Sequence, residues 1–248
     1  IALDVTAAPA RPGKPAGDRA REPGAGDAAE ARIRLASLVD REWLRPSAIR
    51  VEHFFDEASE TVRAVEREYY GAIVLAERQA EPDPAEAARL LAIGYRRRGL
   101  RPDDEQLLRR LRFAGLEQDL EPLLAVATIG KRALDEVDLS EGLSWEVRQA
   151  LIRDAPVSLT IPGGRTVRLE YRADGSVMAS VKLQALFGLA ETPRIGRRQE
   201  PVLLALLAPN GRPVQLTRDL RSFWERTYPE VRKELRGRYP KHAWPEHP

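Results

Sequence analysis

The sequence predicts an α+β protein in which a strand-rich first third precedes a helical middle and a mixed final third. Period-two alternation of apolar and polar residues marks the expected strands. Helix-start signals followed by apolar residues at helical spacing mark the middle. Two dipeptides typical of tight hairpin turns, Asp174-Gly175 and Asn210-Gly211, predict antiparallel pairs in the final third.

The first region, residues 1–82, is predicted to be a small antiparallel barrel with one long loop. Its strands are expected at Ile1–Thr6, Ala31–Leu38, Ile49–Phe55 and Thr61–Tyr70, with Ala72–Ala76 continuing the last of them. Residues 7–30 hold eight Pro or Gly residues in 24 positions, and their only apolar side chains are alanines. Because such a stretch buries too little surface to offset its chain entropy, we predict a disordered loop there.

The second region, residues 83–155, is predicted to be helical. Asp83 can accept backbone N–H bonds at a helix start, Pro84 suits the first turn, and Glu86 can reach back to the cap. The helix that begins there is expected to stop at Gly99. Three more helical segments are expected at Asp103–Gly115, Leu120–Ile129 and Ser144–Arg153.

The third region, residues 156–248, is predicted to contain two β-hairpins and two helices. Val167, Leu169 and Tyr171 alternate with charged residues, as in a half-buried strand. The first hairpin continues into Val177–Val181, and the second joins Val202–Ala208 to Pro213–Leu216. The closing helices are expected at Arg218–Thr227 and Pro229–Arg236.

The composition excludes several classes of site. The chain has no cysteine, which excludes disulfides and thiolate metal sites and fits a reducing compartment. None of its three histidines (His53, His242 and His247) is spaced i, i+4 from another, so no zinc site is expected. Because no apolar run reaches membrane-spanning length, we expect a cytoplasmic protein with no membrane insertion. The net charge of only +2 means that charge can matter only through clustering.

Two long runs in the final third carry a family resemblance. They are Ser180–Ile195, which reads SVKLQALFGLAETPRI, and Ser222–His242, which reads SFWERTYPEVRKELRGRYPKH and is followed by Trp244-Pro245-Glu246. Both runs resemble the terminal domain that distinguishes the HrpB-type DEAH-box helicases. The resemblance extends more weakly through Leu111–Gly115 and the strands of Glu30–Leu75.

The resemblance implies an order of parts for the parent protein. Two motor lobes and a helical region would precede an OB-like barrel and this terminal domain, and the chain would begin inside the OB-like region. The start at Ile1 rather than Met fits the expectation of a piece of a longer protein. ATP and Mg²⁺ would then be cofactors of the parent hydrolase, in which the missing N-terminal motor acts in cis, and this chain would need no cofactor.

The chain lacks the motifs of an ATPase. A P-loop needs Gly, four residues and then Gly-Lys-Ser/Thr. The two Gly-Lys pairs, Gly13-Lys14 and Gly130-Lys131, are followed by Pro15 and Arg132. No Asp-Glu-Ala-His run occurs either. We therefore expect no catalytic residue in this chain.

The candidate nucleic-acid-binding residues are basic and lie in two places. Arg194, Arg197 and Arg198 lie in a predicted loop, and Arg232, Lys233, Arg236, Arg238 and Lys241 lie in or after the last helix. On that helix Arg232, Lys233 and Arg236 share a flank opposite Val231 and Leu235, an arrangement that suits phosphate contacts. The plainer interpretation is a solvated helix face with local ion pairs.

Several other residues are predicted to be structural. Phe223 and Trp224 have the spacing of a buried stripe rather than of a base-stacking platform. Tyr239 and Trp244 are expected to pin the tail to the body, and His53 is expected to be structural because no catalytic partner is evident.

The sequence thus favours an accessory segment of an ATP-dependent helicase that assists the binding and unwinding of single-stranded RNA or DNA. The alternative is a docking module of the same helicase, which binds a protein partner without touching nucleic acid. The basic flank separates them: if it stands clear of Glu225, Glu230 and Glu234, nucleic-acid binding gains support, and if ion pairs occupy it, docking gains support.

Overall fold

A computed structural model describes residues 2–7, 31–36 and 38–248. The loop predicted to be disordered, residues 7–30, lies outside the described residues from residue 8 onward. The chain divides into two compact units. We call them the N-terminal unit (Ile1–Glu52 and Val65–Ala80) and the main unit (His53–Ala64 and Glu81–Pro248).

The first strands form two small open sheets. Strands β1 (Ala2–Ala7) and β2 (Ala31–Ala36) pair antiparallel. Strands β3 (Ala48–Asp56), β4 (Thr61–Tyr70) and β5 (Ile73–Ala80) form a three-stranded sheet in that order. The expectation of a closed, OB-like barrel is not confirmed, because β3 and β5 are edge strands and closure would need more strands in one sheet.

The segment expected at Ala72–Ala76 is a separate strand and does not continue its predecessor. Gly71 has a φ of 59°, and this left-handed conformation turns the chain between β4 and β5.

Within the N-terminal unit, Arg67 on β4 links the two neighbouring strands, β3 and β5. Its Nη1 donates to Glu52 Oε2 at 2.5 Å, and its Nε donates to Glu77 Oε2 at 2.7 Å.

The four predicted helices of the middle region are confirmed within a few residues. They are α1 (Pro84–Arg98), α2 (Pro102–Phe113), α3 (Leu120–Ala127) and α4 (Trp145–Asp154). Asp83 caps α1 as predicted, since its side chain accepts the backbone N–H groups of Ala85 and Glu86 at 3.0 Å each. The return bond expected from Glu86 is not found. The Asp83 N–H donates instead to Nε2 of His53 at 2.9 Å, while Glu86 pairs with Arg89.

A four-stranded sheet lies at the centre of the C-terminal region. In sequence order its members are β8 (Glu170–Tyr171), β9 (Val177–Lys182), β12 (Leu203–Leu207) and β13 (Pro213–Thr217), and their spatial order is β13-β12-β9-β8. Both predicted hairpins are confirmed, at Asp174-Gly175 and at Asn210-Gly211. The two hairpins join through a parallel pairing of β9 with β12. Because parallel strands need a crossover, the intervening residues 183–202 have to leave the sheet and return to it.

The remaining strands were not predicted as separate elements. The alternating segment from Val167 to Tyr171 is divided, because β7 (Arg165–Arg168) pairs with β6 (Ser158–Ile161) and only β8 joins the central sheet. Two short strands, β10 (Arg194–Ile195) and β11 (Glu200–Pro201), pair within the crossover.

The final helices form one nearly continuous rod. It comprises α5 (Leu220–Ser222), a π-turn (Phe223–Thr227) and α6 (Tyr228–Arg238). Proline has no N–H to donate and its ring crowds the preceding turn, so the widened π-turn accommodates Pro229 without ending the rod.

One hydrophobic core runs through the main unit, from Val62 to Trp244, and joins the helices to the central sheet. The boundary predicted between residues 155 and 156 falls within this unit and stays a prediction. No helix in the described ranges is long and apolar enough to cross a membrane.

Candidate nucleic-acid interface

The predicted basic loop is the turn of the β10–β11 hairpin. The turn contains two residues with positive φ, Gly196 at 73° and Gln199 at 52°. Arg194 Nη1 donates to the backbone oxygen of Gln199 at 3.0 Å and so braces the turn. Arg198 is exposed in the turn, and its side chain has no hydrogen-bond or ion-pair partner in the described part of the chain.

Arg197 is held by a buried carboxylate at the end of α4. Its Nε donates to Asp154 Oδ2 at 2.8 Å, and Arg153 forms a two-pronged pair with the same carboxylate at 2.9 Å. Asp154 is only 4% exposed. The hydrogen bonds from Arg153 and Arg197 lower its pKa to about 2, although burial acts in the opposite direction. One buried negative charge therefore positions two guanidinium groups, and the cluster keeps a net positive charge.

Gly196 explains how this loop comes so close to the helices. A Cβ at that position would lie 2.8 Å from the Phe113 ring and 3.2 Å from the Asp154 carbonyl oxygen. Only glycine fits both this spacing and the left-handed backbone, so the loop lies directly on the ends of α2 and α4.

The second basic group lies on α6. Its inner side is fixed by the buried residues Tyr228 and Leu235. Lys233 and Arg236 are exposed, and neither has an ion-pair or side-chain hydrogen-bond partner among residues 38–248. These two residues provide the cationic groups that the predicted basic flank requires.

Arg232 is not on the free part of that flank. Its Nε donates to the Trp244 backbone oxygen at 2.9 Å, and its Nη2 donates to Glu246 Oε1 at the same distance. Its side chain is only 23% exposed. The C-terminal tail therefore already occupies two of the donor groups of Arg232.

The last two predicted residues are exposed in different settings. Arg238 Nη2 lies 3.2 Å from Glu234 Oε1 in an exposed i, i+4 pair. Lys241 follows α6 and has no ion-pair partner within the described ranges. Exposed pairs of this kind contribute little, so Arg238 can exchange its partner at low cost.

The ion pairs around the basic flank of α6 support both interpretations in part. No ion pair within the described residues involves Glu225 or Glu230, which favours nucleic-acid binding. Glu234 and Glu246 occupy Arg238 and Arg232, which favours docking. Lys233 and Arg236 are the residues of this flank for which the first interpretation is strongest.

The aromatic residues belong to the core, as predicted. Phe223 is 3% exposed, and Trp224 donates its indole N–H to the Leu189 backbone oxygen at 2.8 Å. Trp244 is 7% exposed and donates to the Tyr239 oxygen at 3.0 Å, while the Tyr228 hydroxyl donates to the Pro245 oxygen. The tail is thus pinned to the body by the residues expected to do so.

Sequence reasoning missed Arg153 and Asp154. They precede Arg197 by about 40 positions and lie on a different element, and no spacing rule connects them. Among the described residues, no group of histidine and carboxylate side chains could hold a metal ion.

The sequence of this chain is similar to that of known helicases. Residues 116–248 match the family HrpB_C, described as "ATP-dependent helicase C-terminal". Over 149 residues the chain is 40% identical to the ATP-dependent RNA helicase HrpB of Escherichia coli (strain K12), covering 59% of this chain and 18% of that protein.

Two solved structures have a fold similar to that of this chain. The crystal structure of the E. coli DExH-box NTPase HrpB aligns with a TM-score of 0.58 at 31% identity, covering 90% of this chain and 32% of that one. A crystal structure of the Escherichia coli DEAH/RHA helicase HrpB aligns with a TM-score of 0.50 at 31% identity, covering 80% and 29% of the two chains. The chain therefore spans less than a third of each of these relatives.

Proposed function

Because this chain belongs to the HrpB_C family of ATP-dependent helicase C-terminal domains, we propose that it is an accessory segment that helps a helicase motor hold single-stranded nucleic acid. In this proposal the motor would belong to a part of the parent protein outside this sequence, which spans 18% of the helicase HrpB that it resembles. ATP and Mg²⁺ would act in that motor. The present segment would add contacts to the strand while the motor steps.

The observation that carries this proposal is the pair of unpartnered cations on α6. Lys233 and Arg236 are exposed on one flank, and the described residues offer no carboxylate partner to either. Arg and Lys in this state are suited to phosphate groups, which a strand presents in a row. Side chains already consumed by ion pairs would have to give up those partners first.

The β10–β11 loop supports the same function in another way, because one of its arginines is held in place by a carboxylate. Asp154 fixes the Nε side of Arg197, while Arg198 remains exposed beside it. A positioned guanidinium loses less conformational freedom when it contacts a phosphate, so its contact costs less entropy. We therefore assign Arg194 to bracing the turn, and Arg197 and Arg198 to contacting the strand.

A docking function has its own supporting observation. On α4, Trp145 is 69% exposed and Ile152 is 64% exposed, and their i, i+7 spacing places them on one helix face. Exposed large apolar residues grouped on a surface are a common mark of protein interfaces. In this second proposal α4 binds a protein partner, and the basic residues serve solubility.

The experiment that tests the main proposal is direct binding of a strand. We expect the isolated chain to bind a fluorescent single-stranded RNA or DNA of about 20 nucleotides, with an affinity that falls steeply as salt rises. Fluorescence anisotropy at several salt concentrations measures this. Absence of binding at low salt, by a chain shown to be folded by circular dichroism, would refute the proposal and leave docking as the remaining candidate.

A further inference from the structure

Arg110 on α2 is a partly buried cation without a carboxylate partner. Its Nε donates to the Ala155 backbone oxygen at 2.8 Å. In the described part of the chain, no ion pair involves its guanidinium, and no acceptor is found for its two Nη groups. Four N–H donors therefore have no protein partner there.

The neighbouring arginines show that this arrangement is unusual for the segment. Arg101 pairs with Asp104 at 2.7 Å, Arg109 with Glu105 at 2.9 Å, and Arg112 with Glu117 at 3.0 Å. Burial lowers the pKa of Arg110, and Tyr171 rather than a carboxylate acts against that effect. A charge that is partly removed from water without a carboxylate partner costs free energy, so an anion placed beside it would be stabilising.

The space beside Arg110 is large enough for such an anion. A cavity of about 560 Å³ is lined by Arg110, by apolar side chains, by two hydroxyl groups and by three further polar residues. Its apolar wall is formed by Leu107, Val157 and Leu169, and its hydroxyls belong to Ser158 and Thr166. The other polar residues of the lining already have partners. Arg168 pairs with the carboxylate of Asp103 at 2.7 Å, and the Gln106 amide bonds to the Tyr171 backbone.

We propose that this cavity is a binding site for a phosphate group, held by Arg110 and by the hydroxyls of Ser158 and Thr166. A guanidinium can donate to two phosphate oxygens at once, and each hydroxyl can donate to one more. The apolar wall and the volume leave room for the organic part of a phosphate compound such as a nucleotide. The site is separate from the residues of α6 and of the β10–β11 loop, and it does not depend on their function.

Two sources of phosphate are distinguished by the choice of probe. Inorganic phosphate tests the anion site alone. A nucleoside monophosphate tests a free nucleotide, and a trinucleotide without terminal phosphates tests the interior of a strand. Tighter binding of the monophosphate than of the trinucleotide assigns the site to free nucleotides or strand ends, and the reverse order assigns it to a strand interior.

The experiment measures the melting temperature of the full chain with increasing phosphate at constant ionic strength. Ligands that bind only the folded state raise this temperature. We expect a rise for the natural chain and for the control Arg112→Gln, which removes an exposed arginine of the same helix. In Arg110→Gln, phosphate affinity should fall roughly 10- to 100-fold, because a charge-assisted hydrogen bond is lost.

Thr166→Asp is a second variant that keeps the test decisive if Arg110→Gln fails to fold. It places a carboxylate on the exposed rim of the cavity, where it repels phosphate and can pair with Arg110, so the phosphate effect should disappear. Backbone amide shifts at Leu107, Val157 and Thr166 of the natural chain locate the bound anion. Equal phosphate effects in the natural chain and in either variant, or no effect in the natural chain, would overturn the proposal.

Discussion

Asp154 shows how a single buried side chain can place two surface cations. Arg153 and Arg197 share its carboxylate, so the position of the β10–β11 loop depends on a residue outside that loop. The hydrogen bonds lower its pKa to about 2, so the folded state favours the charged form. The stability that follows is fully present above the ordinary aspartate pKa of about 3.9 and is lost as the pH falls toward 2.

Asp154→Asn should therefore be less stable than the natural chain at neutral pH, and the difference should vanish near pH 2. The amide keeps the shape but cannot offset the charges of Arg153 and Arg197. Urea unfolding between pH 7 and pH 2 measures this, with Asp119→Asn as a control at an exposed carboxylate. A constant difference across the pH range would show that the carboxylate charge is not what stabilises the loop.

Gln184 is a residue whose polarity the fold does not use. Its Nε2 is buried and is the one buried side-chain polar atom without a hydrogen-bond partner in the described ranges. A buried amide group without a partner costs about 1–3 kcal/mol. It lies in the run Ser180–Ile195, which carries part of the family resemblance.

Gln184→Met should raise the free energy of unfolding by about 1 kcal/mol, since methionine fills similar space without an unmet donor. Chemical denaturation measures the change. Gln149→Met, at an exposed position of α4, is the matched control and should stay within about 0.5 kcal/mol. Destabilisation by Gln184→Met would mean that the amide has a structural role.

At the scale of elements, local patterns in the sequence were sufficient to predict turns and strand bounds. They did not predict pairings between strands that are far apart in the sequence. The Asn210-Gly211 and Asp174-Gly175 turns and the bounds of β4 follow from patterns within a dozen residues. The parallel pairing of β9 with β12 has no local signal, because its strands are about 25 residues apart. The basic flank of α6 was predicted from helical spacing, whereas the loss of Arg232 to the tail required a contact 14 residues away.

The tail is an element whose stability depends on one aromatic residue. Trp244 is buried and bonded to Tyr239, and its own backbone oxygen accepts from Arg232. Trp244→Ala should lower the free energy of unfolding by about 3 kcal/mol, the usual cost of a large aromatic truncation in a core. His247→Ala, at an exposed tail position, should have little effect. Equal thermal melts for the two variants would show that the tail does not pack on α6.

For the molecule as a whole, family membership and missing motifs predict a chain without ATPase activity of its own. Lys131 is the lysine of one of the two Gly-Lys pairs, but its Nζ lies 3.1 Å from Glu141 Oε1, and it belongs to a turn after α3. A P-loop lysine would have to be free to reach phosphates. We expect phosphate release from ATP at background level, with or without a nucleic-acid strand. ATP hydrolysis that co-purifies with the chain and is lost when the chain is mutated would contradict this expectation.

The central claim is that Lys233 and Arg236 hold a strand through its phosphates. The most direct measurement is the slope of log affinity against log salt for a single strand, which changes by about 0.7 for each phosphate contact. The double variant Lys233→Gln/Arg236→Gln should flatten that slope by about 1.4. The charge-matched control Arg89→Gln/Arg112→Gln removes two exposed arginines that already have carboxylate partners, and it should leave the slope nearly unchanged. Equal slopes for the two double variants, both folded, would contradict the claim.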